Sequence, residues 1–102
     1  MKPATLGPIY VAMYPGLAEI ARRHGYALAI HGSIARDFDL IAIPWVESPS
    51  DPDTVVRAME AEYSIKQTGE PDITFHGRIR YTVIVSFGEC FLDLQFMPRI
   101  PA

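Results

Sequence analysis

Hydrophobic and polar residues alternate most regularly in the last third of the chain. Residues Arg78–Phe87 and Cys90–Met97 are rich in β-branched and aromatic side chains, and Gly88 and Glu89 suit the turn between them. In the second of these segments Phe91, Asp93 and Gln95 share one face, and Leu92, Leu94 and Phe96 share the other. The pattern predicts two antiparallel strands and places a single carboxylate, Asp93, in the middle of an apolar strand.

A second pair of strands is predicted over Tyr26–His31 and from about Arg36 to Trp45, with a tight turn at Gly32-Ser33. Asp37 and Asp39 lie two residues apart, so both project from the same face of the second strand. The residues between and after them point the opposite way, towards a predicted core: Phe38, Leu40 and Ala42.

Helical spacing of apolar residues runs from Leu6 to His24, but Pro15 interrupts it. Because the proline ring clashes with the preceding turn, we expect a short first piece and a firmer helix over Pro15–His24, with Gly25 as its C-terminal cap. A second helix is predicted over Asp53–Tyr63. Ser50 or Asp51 can cap it, and Pro52 suits its first turn.

Between the second helix and the last two strands lies a polar segment, Lys66–Asp72, which we expect to be a connector. Ile73–Phe75 can add a short strand. The resulting order, α-β-β-α-β-β, predicts an α+β fold. We expect a two-layer sandwich with a mostly antiparallel or mixed sheet of about four to five strands and both helices on one face. Residues 1–102 form one domain, with loose termini expected at 1–7 and 98–102.

Composition narrows the classes of function. The 102 residues carry a formal net charge of −3, which disfavours nucleic acid as a partner. The single cysteine excludes an internal disulfide and suits a reducing compartment. The chain has no apolar run of membrane-spanning length and no signal-peptide pattern at its start, so we expect a cytoplasmic protein without a membrane partner.

The three carboxylates on apolar strands, Asp37, Asp39 and Asp93, are the candidate chemistry. Placing ionised acids on hydrophobic strands costs several kcal/mol unless a positive partner accompanies them. If the two strands are neighbours, the three acids converge on one solvent-facing patch. Oxygen ligands from two or three carboxylates are what Mg²⁺ or Mn²⁺ prefers. Without a metal, the alternative is that Asp37 caps a turn, Asp39 pairs with an arginine such as Arg36, and Asp93 faces solvent.

With these residues the chain resembles the nucleotidyltransferase superfamily that includes DNA polymerase β, kanamycin nucleotidyltransferase and the minimal nucleotidyltransferases. The matching elements are Gly32-Ser33 after the first strand, Asp37-Phe38-Asp39 on the next strand, and Asp93 on a later one. The resemblance covers about Tyr26 to Phe96. It implies that Gly32 and Ser33 bind the phosphates of a nucleoside triphosphate. It further implies that Asp37, Asp39 and Asp93 bind the metal ions, and that Asp93 helps to activate an acceptor hydroxyl.

The spacing departs from that family at one point. Only Ile34, Ala35 and Arg36 separate Ser33 from Asp37, where the family has a helix that binds phosphate at its N-terminus. Arg36 is a candidate for supplying part of the missing positive charge. A second hypothesis is therefore a binding or regulatory module that keeps the fold without turnover, as a homodimer or with a protein partner. For His31 we expect a strand-end residue with a satisfied hydrogen bond rather than a ligand.

Overall fold

The computed structural model describes residues 7–32, 34, 37–85 and 91–98. Two helices and five strands follow one another in the order α1, β1, β2, α2, β3, β4, β5. Their bounds are α1 Gly7–Arg23, β1 Tyr26–His31, β2 Asp37–Pro44, α2 Pro52–Glu62, β3 Ile65–Ile73, β4 Ile79–Val85 and β5 Phe91–Phe96.

The five strands form one mixed sheet in the order β1-β2-β5-β4-β3. β2 and β5 are parallel neighbours at its centre, and every other pair is antiparallel. Along the chain, α2, β3 and β4 lie between β2 and β5. The pairing of β2 with β5 therefore joins the β1–β2 hairpin to the β3–β4–β5 part of the sheet. The expectation of an α+β fold with two helices and a mixed sheet is confirmed.

One face of the sheet and both helices enclose a single apolar core. Alternate residues of β2 and β5 supply its centre, where Phe38 and Leu94 are fully buried. The Phe38 ring stacks on Tyr10 of α1 with 4.8 Å between ring centroids. Burying such side chains contributes about 1.5–3 kcal/mol each, and this packing outweighs local propensity in the helices.

The prediction that α1 restarts at Pro15 is wrong, because the helix runs unbroken from Gly7 to Arg23. Buried residues on both sides of the proline, Tyr10 and Leu17, belong to the same core cluster. Their packing offsets the hydrogen bond that the proline cannot donate, and the Pro15 ring itself is exposed. Gly7 belongs to this helix and not to a loose terminus. At its other end Gly25 has φ of 91° and ends the helix as expected.

The polar segment after α2 is a strand and not a connector. β3 pairs with β4 from Ile65 to Thr68 and again at Asp72 and Ile73, with an irregularity between these stretches. Only its first residue, Ile65, is buried. An edge strand exposed on both faces lacks the hydrophobic alternation that identifies strands in a sequence, so its composition resembled that of a loop.

The described helices include none that is long and apolar enough to cross a membrane. The expected loose segments at residues 1–6 and 99–102 lie outside the described part of the chain.

Candidate functional site

The sheet face opposite the helices, here called the open face, carries the candidate residues. Because strand register is continuous across the sheet, side chains of the open face fall into rows. The central row runs from β1 to β3 through His31, Asp39, Asp93, Thr82 and Thr68. The next row contains Ala29, Ile41, Gln95, Arg80 and Asp72.

Asp39 and Asp93 are direct partners across the parallel pair of β2 and β5. Both side chains are half-buried. Asp37 lies one row away, opposite Phe91, and is exposed. The structure thus brings two of the three predicted acids side by side in the centre of the sheet, with the third at the solvent-exposed end of the same strand.

The pKa of the Asp39 carboxyl is raised above its ordinary value of 3.8. Partial burial is the largest cause, and the negative charges of Asp93 and Asp37 raise it further, whereas His31 acts in the opposite direction. The ionised form of Asp39 is therefore disfavoured by the fold. A cation bound beside it would remove that penalty, because a nearby positive charge favours the carboxylate.

Gly32 lies against the Asp39 carboxylate. Its φ is 69°, and a Cβ atom added there would lie 2.9 Å from Asp39 Oδ2. The left-handed backbone favours glycine here, and an added Cβ would also force the Asp39 carboxylate to shift. Gly32, the first residue after β1, is thus adjacent to Asp39. The other two residues predicted to bind phosphate, Ser33 and Arg36, lie outside the described residues.

Gln95 holds the other acid. Its Nε2 donates a hydrogen bond of 3.2 Å to Asp93 Oδ1, and its side chain is only 8% exposed. Its Oε1 is buried without a hydrogen-bond partner. In the sequence, the two-residue spacing of Asp93 and Gln95 on an alternating strand predicts that they share a face. It does not predict the hydrogen bond between them.

His31 is the neighbour of Asp39 on the opposite side from Asp93. Its Nε2 is buried and has no hydrogen-bond partner, contrary to the expectation of a satisfied strand-end histidine. Buried polar atoms without partners are rare in folded proteins and call for an explanation such as a water or an ion. Two such atoms, His31 Nε2 and Gln95 Oε1, belong to residues that flank the acid pair.

The donor chemistry fits a divalent cation, since two carboxylates are accompanied by a buried imidazole nitrogen without a partner. Within the described ranges, the side chains as placed form no group of three or more His, Cys, Asp or Glu that could hold a metal ion. A shared ion therefore requires side-chain rotation at the acid pair.

Positive charge is also present on the open face. Arg80 lies opposite Gln95, and its guanidinium forms an ion pair of 2.6 Å with Asp72 on the edge strand. Their pairing lies one row from Asp93 and gives the face a cation beside its acids.

No protein-family model matches this chain, and no curated protein matches it. The resemblance to nucleotidyltransferases consequently rests on the residues named above and on their arrangement in the sheet. It stays a prediction.

Proposed function

We propose that this chain is a divalent-cation-dependent nucleotidyltransferase, which transfers a nucleotidyl group from a nucleoside triphosphate to a hydroxyl acceptor. The observation that supports this most strongly is the pairing of Asp39 with Asp93 across the two central strands. Like charges directly opposite each other destabilise a sheet. Their presence at this position is accounted for by a ligand that needs both.

Each residue of the site has a role in this proposal. Asp39 and Asp93 hold the cation together with Asp37, whose exposed side chain can turn towards them. The backbone N–H groups of the turn that begins at Gly32 bind the phosphates of the nucleotide, with Ser33 beside it. Arg36 adds positive charge to that turn.

In the transfer step the acceptor hydroxyl oxygen attacks the α-phosphorus of the triphosphate. A new P–O bond forms as the bond between the α-phosphorus and the bridging oxygen breaks, and pyrophosphate leaves. Asp93 accepts the hydroxyl proton, and Gln95 keeps its carboxylate oriented through the bond to Oδ1. Mg²⁺ or Mn²⁺, when held by these carboxylates, would stabilise the negative charge that develops on the phosphate oxygens.

A second candidate is a nucleotide-binding module without turnover. The observation that favours it is the short link between the turn and β2, since only residues 33–36 separate Gly32 from Asp37. That length excludes a phosphate-binding helix of the usual size between them. The two candidates share a binding site and differ in whether a product forms.

Thermal unfolding and product formation together test the proposal. The melting temperature is measured with Mg²⁺ or Mn²⁺, each of the four nucleoside triphosphates, and both. A ligand present at 100 times its dissociation constant stabilises the native state by about 2.7 kcal/mol. Parallel incubations with α-labelled triphosphate offer protein, RNA and small polyol acceptors. Asp39→Asn and Asp93→Asn should abolish both the stabilisation and the labelled product.

Asp72→Asn is the matched control. It removes a carboxylate from the same sheet face, but this carboxylate forms an ion pair with Arg80 and does not face another acid. We expect it to retain cation binding. A melting temperature that does not respond to cation and triphosphate together refutes both candidates. Stabilisation by the ligands with no labelled product refutes the enzyme and supports the binding module.

A further inference from the structure

We infer that His31 is a third ligand of the cation held by Asp39 and Asp93, and that the site therefore prefers a first-row transition ion to Mg²⁺. This inference rests on the cation site of the proposed function and not on nucleotidyl transfer itself. It adds a nitrogen donor that the resemblance to nucleotidyltransferases does not include.

The first argument is position. His31, Asp39 and Asp93 occupy one row on three adjacent strands, and all three side chains project from the open face. Neighbouring strands lie about 4.8 Å apart, so the two outer Cα atoms are roughly 10 Å apart with that of Asp39 between them. As placed, these side chains do not yet form a metal-holding group, so the two carboxylates rotate towards the imidazole when the ion binds. With metal–ligand bonds of about 2 Å, the rotated side chains can then reach a shared ion from the two ends of the row.

The second argument is the unpartnered imidazole nitrogen. His31 Nε2 is shielded from solvent, yet it makes no hydrogen bond. Leaving a buried polar atom without a partner costs about 1–3 kcal/mol. A metal ion beside Asp39 would give this nitrogen a partner and would also neutralise the carboxylate next to it.

The third argument is that Gln95, which contacts Asp93 on the other side of the acid pair, also has a buried polar atom without a hydrogen-bond partner. Gln95 is more than nine-tenths buried, donates to Asp93 Oδ1, and keeps Oε1 without a partner. Ligating carboxylates are commonly held by such outer hydrogen bonds, which orient them for the metal. The acid pair is thus flanked by a nitrogen donor on one side and an orienting amide on the other.

The identity of the donors determines the preference among cations. Carboxylate and water oxygens suit Mg²⁺, whereas an imidazole nitrogen favours first-row transition ions, whose affinities for nitrogen and oxygen sites rise from Mn²⁺ to Co²⁺ and beyond. A site of two carboxylates and one imidazole should therefore bind Co²⁺ more tightly than Mg²⁺. Removing the imidazole should remove most of that difference.

The test compares Co²⁺ and Mg²⁺ binding to the purified chain by calorimetry, with no nucleotide present. His31→Asn should weaken Co²⁺ binding about tenfold or more, the scale expected for losing a metal-orienting or ligating group, and leave Mg²⁺ binding within about twofold. His76→Asn is the matched control, because His76 is an exposed histidine in the turn between β3 and β4. It should leave both affinities unchanged.

A second measurement uses the unaltered chain and so does not depend on how the variant folds. Paramagnetic Co²⁺ should shift or broaden the imidazole proton signals of His31 at substoichiometric amounts, before those of His24 and His76. Equal effects on all three histidines, or unchanged Co²⁺ selectivity in His31→Asn, overturn the inference while the carboxylate site stands. Failure of both Co²⁺ and Mg²⁺ to bind overturns the inference together with the proposed function.

Discussion

Replacing Asp39 with asparagine should make the protein more stable in the absence of metal. The change keeps the size of the side chain and removes one of two charges that oppose each other in the centre of the sheet. Because the pKa of Asp39 is raised in the fold, ionising its carboxyl is harder in the folded state than in the unfolded state. Asparagine imitates the uncharged form at every pH.

The magnitude follows from the cross-strand geometry. Like charges placed directly opposite each other on neighbouring strands lower the free energy of unfolding by about 0.2–1 kcal/mol. A gain of about 0.5 kcal/mol should raise the melting temperature by roughly 2–4 °C in a domain of this size. The gain is small because Asp39 is half-buried and partly solvated.

The assay is thermal unfolding followed by circular dichroism, with EDTA present, from pH 3 to pH 8. The stability that protonation of Asp39 contributes is fully present below about pH 3.8, the ordinary pKa of the carboxyl. It is lost as the pH rises through the raised pKa of Asp39 in the folded state. Asp39→Asn should therefore exceed the wild type near pH 7 and match it at the acid end of the range. Asp72→Asn is the control of opposite sign, since Arg80 lowers the pKa of Asp72 and its replacement should reduce stability at pH 7.

A fall of several degrees in the melting temperature of Asp39→Asn at pH 7 would refute this reasoning. It would show that Asp39 forms a stabilising ion pair in the folded state. The same result would remove the main support for a cation site, because the carboxylate would already have its positive partner.

Three further changes probe the surroundings of the acids and the core. Gly32→Ala should lower the free energy of unfolding by about 1–2 kcal/mol, measured in urea, because a φ of 69° strains any residue with a Cβ atom and the added Cβ displaces the Asp39 carboxylate. Gln95→Met should keep that free energy within about 1 kcal/mol of the wild type, since the lost bond and the removed unpartnered acceptor offset each other. Calorimetry should nevertheless show metal binding weakened about tenfold, because Asp93 loses its orienting donor. Ultraviolet titration should show Tyr81 ionising near pH 12, since burial and the nearby Asp53 raise its pKa to about 12, and Tyr81→Phe should remove this late step.

Local patterns in the sequence were sufficient for the parts of the fold that are half-buried. β1 has the predicted bounds, Tyr26–His31, and the alternation in β2 and β5 assigned the core and open faces correctly. Period-two alternation follows directly from burial of one sheet face, so it can be read without knowing which strands are neighbours. The sequence pattern did not predict the edge strand β3, because neither of its faces is buried along most of its length. It also did not predict that α1 continues through Pro15, because core packing outweighs the low helix propensity of proline.

In the candidate site, too, some features follow from the sequence and others only from the tertiary structure. By itself, the sequence determined which acids share the open face, Asp37 and Asp39 on one strand and Asp93 on the other, because side-chain direction depends only on position along a strand. Only the tertiary structure decided that Asp39 and Asp93 are direct partners, that Gly32 lies against one and Gln95 holds the other, and that His31 Nε2 lacks a partner. Those facts depend on the parallel pairing of β2 and β5, segments about fifty residues apart, and the register of such a pair is set by the packing of the whole core.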